Sequence, residues 1–112
     1  DAVSRAEAIF NIARATQLVI ALSTGDFDLL PSTASDQLHQ EVRLSDTPMC
    51  ADVMSVLVNA GALSSWLSGS GPTVAAFVRR TNVEEVAAQV GRDFPLGRTQ
   101  ILDIDVRGIH SI

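Results

Sequence analysis

Residues Leu63–Val78 read LSSWLSGSGPTVAAFV, two apolar runs on either side of a turn holding two glycines and a proline. Leu63–Leu67 is predicted as a strand, and so is Thr73–Val78, which carries Thr, Val and Phe. The joining stretch, Ser68-Gly69-Ser70-Gly71-Pro72-Thr73, is too rich in glycine to be only a connector. Gly69 and Gly71 open backbone angles closed to other residues and let another loop or a ligand approach the main chain. Amides set among the hydroxyls of Ser68, Ser70 and Thr73 suit an anionic group such as a phosphate. Read as a bare Gly-Ser-Gly, the same string is a hairpin turn.

Upstream of this hairpin, residues 1–24 have helical periodicity. Val3, Ala6, Phe10, Ala13, Gln17 and Ile20 recur at three or four residues, and Ile9, Ile12 and Val19 widen the stripe. Asp1 is the expected cap and Gly25 the expected left-handed stop. Asn11 and Arg14 project to one side, either solvated or lining a cleft. Asp26–Leu30 reads as a short helical turn ended near Pro31. Ser32 is the expected cap of a second short helix carrying Asp36, Leu38 and His39. Thr47-Pro48 is a helix start, with Met49, Val53, Val56, Leu57 and Ala60 inward and Gly61 at the end. Met49 and Met54 read as core filler.

Downstream, Asn82 and Glu85 form a capping-box pattern ahead of the apolar stripe Val83, Val86, Ala87 and Val90. Phe94-Pro95-Leu96-Gly97 turns the chain. Gln100–Arg107 alternates apolar Leu102, Ile104 and Val106 with Asp103, Asp105 and Arg107, the pattern of a strand buried on one face. The order helix, short helices, helix, strand, strand, helix, strand is α+β, an antiparallel sheet covered by helices. Prefixing one strand would complete a ferredoxin-like β-α-β-β-α-β arrangement. With that first strand missing, Gln100–Arg107 would lack a pairing partner.

The 112 residues suffice for one domain with a modest core. With 46% hydrophobic and 19% charged residues the chain is expected to pack rather than stay disordered. The net charge of −5 argues against a nucleic-acid surface and a polybasic membrane anchor, and no apolar run reaches membrane-spanning length. Cys50 is the single cysteine, which fits a reducing cytoplasm and a buried thiol. Without an initial Met or a visible signal peptide, the chain is expected to be a piece of something longer. His39 and His110 are the two histidines, and neither has a second metal ligand at zinc spacing. Asp103 and Asp105 are either a solvated strand face or a cation pair. No Walker-type phosphate loop and no Ser-His-acid spacing is legible.

Three stretches together carry a resemblance. The string Ser68–Thr73 resembles the third motif of the GHMP kinases, small-molecule kinases with an N-terminal ATP-binding domain and a C-terminal domain. Asp36-Gln37-Leu38-His39-Gln40-Glu41-Val42-Arg43 is similar to the D-x-L-H-Q-P-Y-R segment of the homoserine kinases in that family, with Glu41-Val42 replacing Pro-Tyr. Phe10-Asn11-Ile12-Ala13-Arg14-Ala15 is similar to their F-N-x-x-R-A stretch.

The resemblance implies that residues 1–112 are the C-terminal domain of such a kinase, without the N-terminal domain that holds the ATP loop and the acidic residues near magnesium. It implies phosphorylation of the L-homoserine hydroxyl by ATP with Mg²⁺, in cytoplasmic threonine synthesis. Gly69, Ser70 and Gly71 would support the triphosphate site. Arg43 would hold the amino-acid carboxylate, a task suited to its planar, always-charged fork. Asn11 and His39 would line the cleft. No catalytic residue and no metal ligand is expected within this stretch, so it should not turn over alone. The expected partners are L-homoserine, ATP and the N-terminal domain, with a homodimer left open and no nucleic acid or membrane. Two alternatives stand beside this reading: another GHMP kinase, for a diphosphocytidyl-methylerythritol or mevalonate-type alcohol, and a free-standing ferredoxin-like ligand-binding module.

Overall fold

The computed structural model describes residues 2–108. Helix α1 spans Arg5–Thr24, and a 3₁₀ turn follows at Phe27–Leu29. Helices α2 (Leu30–Thr33), α3 (Gln40–Asp46) and α4 (Pro48–Asn59) lead to strands β1 (Ser64–Leu67) and β2 (Val74–Phe77). Helix α5 covers Val83–Asp93. The two strands form an antiparallel pair in the register Ser64↔Phe77 and Leu67↔Val74. The architecture is therefore α+β, a two-stranded antiparallel sheet with helices, as the sequence order implies.

The hairpin forms where it was expected because both runs are short, apolar and separated by a turn that only glycine accommodates. Gly69 and Gly71 both adopt positive φ, at 62° and 81°. Alternation sends Ser65 and Leu67 to one side and Ser64 and Trp66 to the other. On the first side α4 packs across both strands, α5 packs on α4, and the Ser65 hydroxyl donates to the Met54 carbonyl. On the second side Trp66 and Phe77 meet with ring centroids 4.8 Å apart. Leu67, Ala62, Cys50, Val86 and Val90 are buried along this seam, and Ala21 and Leu30 are buried where α1 packs on α2.

Several local expectations are corrected. Ser4 caps α1, accepting from the Glu7 amide while the Glu7 carboxylate accepts from the Ser4 amide. Asp1 lies outside the described residues. The packed side of α1 carries Phe10, Asn11, Arg14, Gln17, Leu18 and Ala21, whereas Val3, Ile9, Ile12, Val19 and Ile20 are exposed. Apolar residues occur on so much of α1 that periodicity alone did not choose its inner face. The inner face also carries Asn11, whose side chain bonds Asp36 and the Gln37 amide. Gly25 ends α1 in the left-handed region, as expected.

Pro31 does not end a helix but sits in the first turn of α2, and Ser32 lies inside it. The next helix, α3, begins only after His39, so Asp36, Leu38 and His39 precede it in a turn. Thr47 precedes α4 without capping it, because its hydroxyl is turned back to the Arg43 carbonyl. Met49 on α4 is exposed, and Cys50 is the residue buried there. Asn82 is the residue before α5, but it makes no side-chain cap. Its φ of −116° and ψ of −5° turn it away from the extended geometry a capping box needs.

Gln100–Arg107 forms no strand. Alternation encodes which face would be buried, not whether a partner strand stands alongside, and among the described residues β1 and β2 pair only with each other. Leu102, Ile104 and Val106 are exposed. Asp103 pairs with Arg80, and Asp105 accepts from the Arg107 amide, so the two carboxylates do not form a shared strand face.

Candidate functional site

The loop between β1 and β2 is closed from within and braced from outside. The Ser68 amide donates to the Thr73 carbonyl at 2.8 Å, and the Gly71 amide to the Ser68 carbonyl at 3.3 Å. Among the described residues, the Gly69 and Ser70 amides find no backbone acceptor. They lie on an exposed turn flanked by hydroxyls, an arrangement able to receive anionic oxygens. Gly71 is fixed by more than its positive φ: a Cβ there would stand 3.1 Å from Leu67 Cδ1. The Cys50 thiol, buried at the start of α4, donates to the Pro72 carbonyl at 3.3 Å.

The segment Asp36–Arg43 arrives against this loop. His39 Nε2 lies 3.3 Å from the Gly69 carbonyl oxygen. A carbonyl can only accept, so the bond requires the proton on Nε2. Next to it, Gln40 bridges two elements. Its Oε1 accepts from the Leu67 amide at 2.8 Å, and its Nε2 donates to the Ala34 carbonyl at 3.2 Å. That ties the end of β1 to the end of α2.

The turn ahead of His39 is pinned by Asp36 and Asn11. Asp36 Oδ1 accepts from the Leu38 and His39 amides, an Asx-type turn. The same oxygen accepts from Asn11 Nδ2 at 3.0 Å, while Asn11 Oδ1 accepts from the Gln37 amide at 3.0 Å. Burial pushes the Asp36 carboxyl upward, but the bonds from Asn11, Leu38 and His39 and the nearby His39 ring outweigh it. The group titrates below the usual aspartate range.

Arg43 lies one turn along α3 from Gln40 and so shares its side of the helix. Its side chain is exposed and makes no ion pair among the described residues. Arg14 is half-buried, stacked over the Phe10 ring at 4.7 Å and donating to Gln17 Oε1 at 2.9 Å. It borders a cavity of 340 Å³ that also touches Asn11, Asp36, Gln40, Trp66 and Phe77.

The structure thus brings together His39, Gly69, Ser70 and Gly71, with Asn11 behind them holding the turn. Cys50 is buried, as its apolar surroundings in the sequence implied, but its bond to Pro72 and the two bonds of Gln40 were not legible from residue type. An Asp two and three residues ahead of the amides it caps is legible locally, but the long reach from Asn11 is not. His110 lies outside the described residues. Among the described residues no group of three His, Cys, Asp or Glu side chains is placed to hold a metal ion, and no helix is long and apolar enough to cross a membrane.

The sequence model of the family described as GHMP kinases C terminal matches residues 18–96. The homoserine kinase of Moorella thermoacetica is 49% identical over 73 residues, covering 65% of this chain and 25% of that protein. The homoserine kinase of Desulfitobacterium hafniense is 40% identical over 85 residues, covering 76% of this chain and 29% of that protein. The crystal structure of homoserine kinase from Cytophaga hutchinsonii superposes with a TM-score of 0.75 at 23% identity, over 86% of this chain and 31% of that one. The chain thus spans 25%, 29% and 31% of the length of these three proteins.

Proposed function

The chain belongs to the GHMP kinases, as their C-terminal domain, and we propose that it is the acceptor-side part of a homoserine kinase. The observation that carries this reading is the seating of His39, from the segment ending at Arg43, on the Gly69 carbonyl of the glycine loop. Two stretches that each resemble one family meet in space, the family model spans both of them, and similar relatives are named homoserine kinases.

In this reading the L-homoserine side-chain hydroxyl attacks the γ-phosphorus of ATP. The bond to the ADP leaving oxygen breaks, the hydroxyl proton passes to solvent, and O-phospho-L-homoserine and ADP leave, a step in threonine synthesis in the cytoplasm. Phosphoryl transfer depends on positioning and on stabilising charge. The Gly69 and Ser70 amides would face phosphate oxygens, supported by Gly71. Arg43 would hold the homoserine carboxylate through its bidentate fork. Asn11 and His39 would set the cleft wall. The family resemblance assigns ATP's phosphate loop and the ligands of Mg²⁺ to an N-terminal domain of the kinase.

The test is a panel of alcohols offered to the full-length kinase carrying this chain, read as ADP release with ATP and Mg²⁺. Selective turnover of L-homoserine is expected. Turnover of a mevalonate-type alcohol in preference to homoserine would overturn the assignment.

A further inference from the structure

Asp36 joins α1 to the turn ahead of α3. One of its carboxylate oxygens takes the Asn11 side-chain amide from α1 and two successive backbone amides, those of Leu38 and His39. The other, Oδ2, accepts no hydrogen bond among the described residues. Asn11 completes the clamp by accepting from the Gln37 amide, so both ends of its side chain are committed to the turn. His39 then leaves this turn with its ring on the Gly69 carbonyl.

We propose that Asp36 is a positioning residue: clamped by Asn11, it fixes the turn from which His39 holds Gly69, so that helix α3 and the glycine loop keep one relative placement. This rests on the functional reading above, and it adds a role for a residue that need touch neither substrate. The geometry leaves His39 little choice. Its backbone amide is held by Asp36, and its ring proton must sit on Nε2 to bond a carbonyl. Remove the carboxylate and the turn loses three acceptor bonds at once, so the His39 ring is no longer directed at the loop. The acceptor side, with Arg43 on α3, and the phosphate side, at Gly69–Gly71, would then move independently. Misplacement on the scale of an ångström is enough to cost about a hundredfold in rate.

The experiment compares Asp36→Ala and Asp36→Asn in the full-length kinase, with Ser4→Ala as a control that loses a remote helix cap. Asp36→Asn keeps an oxygen for the same three donors and is expected to restore near-wild-type kinetics. Asp36→Ala is expected to lower kcat/KM for both homoserine and ATP by roughly tenfold to a hundredfold. Ser4→Ala is expected to lower the melting temperature without changing either KM. A second readout follows the His39 ring by ¹H,¹⁵N NMR: the Nε2–H proton is protected from solvent exchange while it donates to the Gly69 carbonyl, and that protection is expected to be lost in Asp36→Ala. Should Asp36→Ala fail to fold, Asn11→Ala opens the same clamp from the other side and is read in the same two ways. A folded variant with wild-type kinetics and an unchanged His39 spectrum overturns the proposal, as does a kinetic loss that Asp36→Asn does not rescue. If the wild type does not phosphorylate homoserine at all, the functional reading falls, while the NMR arm still decides the coupling.

Discussion

His39 Nε2 stands 3.3 Å from the carbonyl oxygen of Gly69, thirty residues further along the chain. That bond joins the turn ahead of α3 to the loop between β1 and β2. Gln40 reinforces it one residue on by accepting from the Leu67 amide. The loop is thus held from inside by its own hairpin bonds and from outside by α3 and by Cys50 at the start of α4.

The first prediction separates a site loop from a simple turn. Gly71→Val in the full-length kinase should damage activity far more than Ser64→Ala on the adjoining strand. At φ 81° a branched side chain is strained, and its Cβ meets Leu67 at 3.1 Å. The strain is on the order of 1–3 kcal/mol. The Ser64 hydroxyl is buried with no partner, so its removal costs little. Steady-state kinetics of the two variants, each checked by thermal melt, give the comparison; equal activities would reduce the loop to a connector.

A second expectation concerns Gln40. Gln40→Ala strips a partner from both the Leu67 amide and the Ala34 carbonyl. A part-buried polar group left unpaired costs about 1–3 kcal/mol, which a urea titration can read. Gln40→Glu keeps an oxygen for Leu67 and should lose less.

The third prediction follows the Asp36 carboxyl. Unfolded, an aspartate titrates at about 3.9; folded, this one titrates lower. Between those two values the unfolded chain binds more protons, so stability rises with pH there. The contribution is complete above the unfolded pKa and disappears as pH falls through the folded one. Asp36→Asn should therefore flatten the acid limb of a plot of melting temperature against pH. An unchanged acid limb would show that the carboxylate is not stabilised in the folded state.

The hairpin, α4, α5 and the left-handed stop at Gly25 were legible in the sequence because each is written in a few adjacent residues. What failed depended on neighbours. The inner face of α1 includes polar Asn11 and Arg14, bonded to Asp36 and Gln17, which an apolar periodicity does not express. The alternation of Gln100–Arg107 is genuine, but a strand also needs a partner, and a single segment does not encode one. The candidate site was legible as two motifs. Their meeting at His39 and Gly69 was not, because both groups sit at the ends of elements whose packing the chain as a whole determines.

The most direct test of the central claim is the homoserine KM of Arg43 variants in the full-length kinase. Arg43 is exposed and has no ion-pair partner among the described residues, so its loss should leave the fold intact. Arg43→Lys keeps the charge but not the bidentate fork, and should raise the homoserine KM. Arg43→Ala should raise it further, by roughly tenfold to a hundredfold, as expected for a lost charge-assisted hydrogen bond of about 1.5–3 kcal/mol. The KM for ATP should move little. A homoserine KM unchanged in Arg43→Ala, with the melting temperature also unchanged, would contradict the assignment of this chain to the acceptor side of a homoserine kinase.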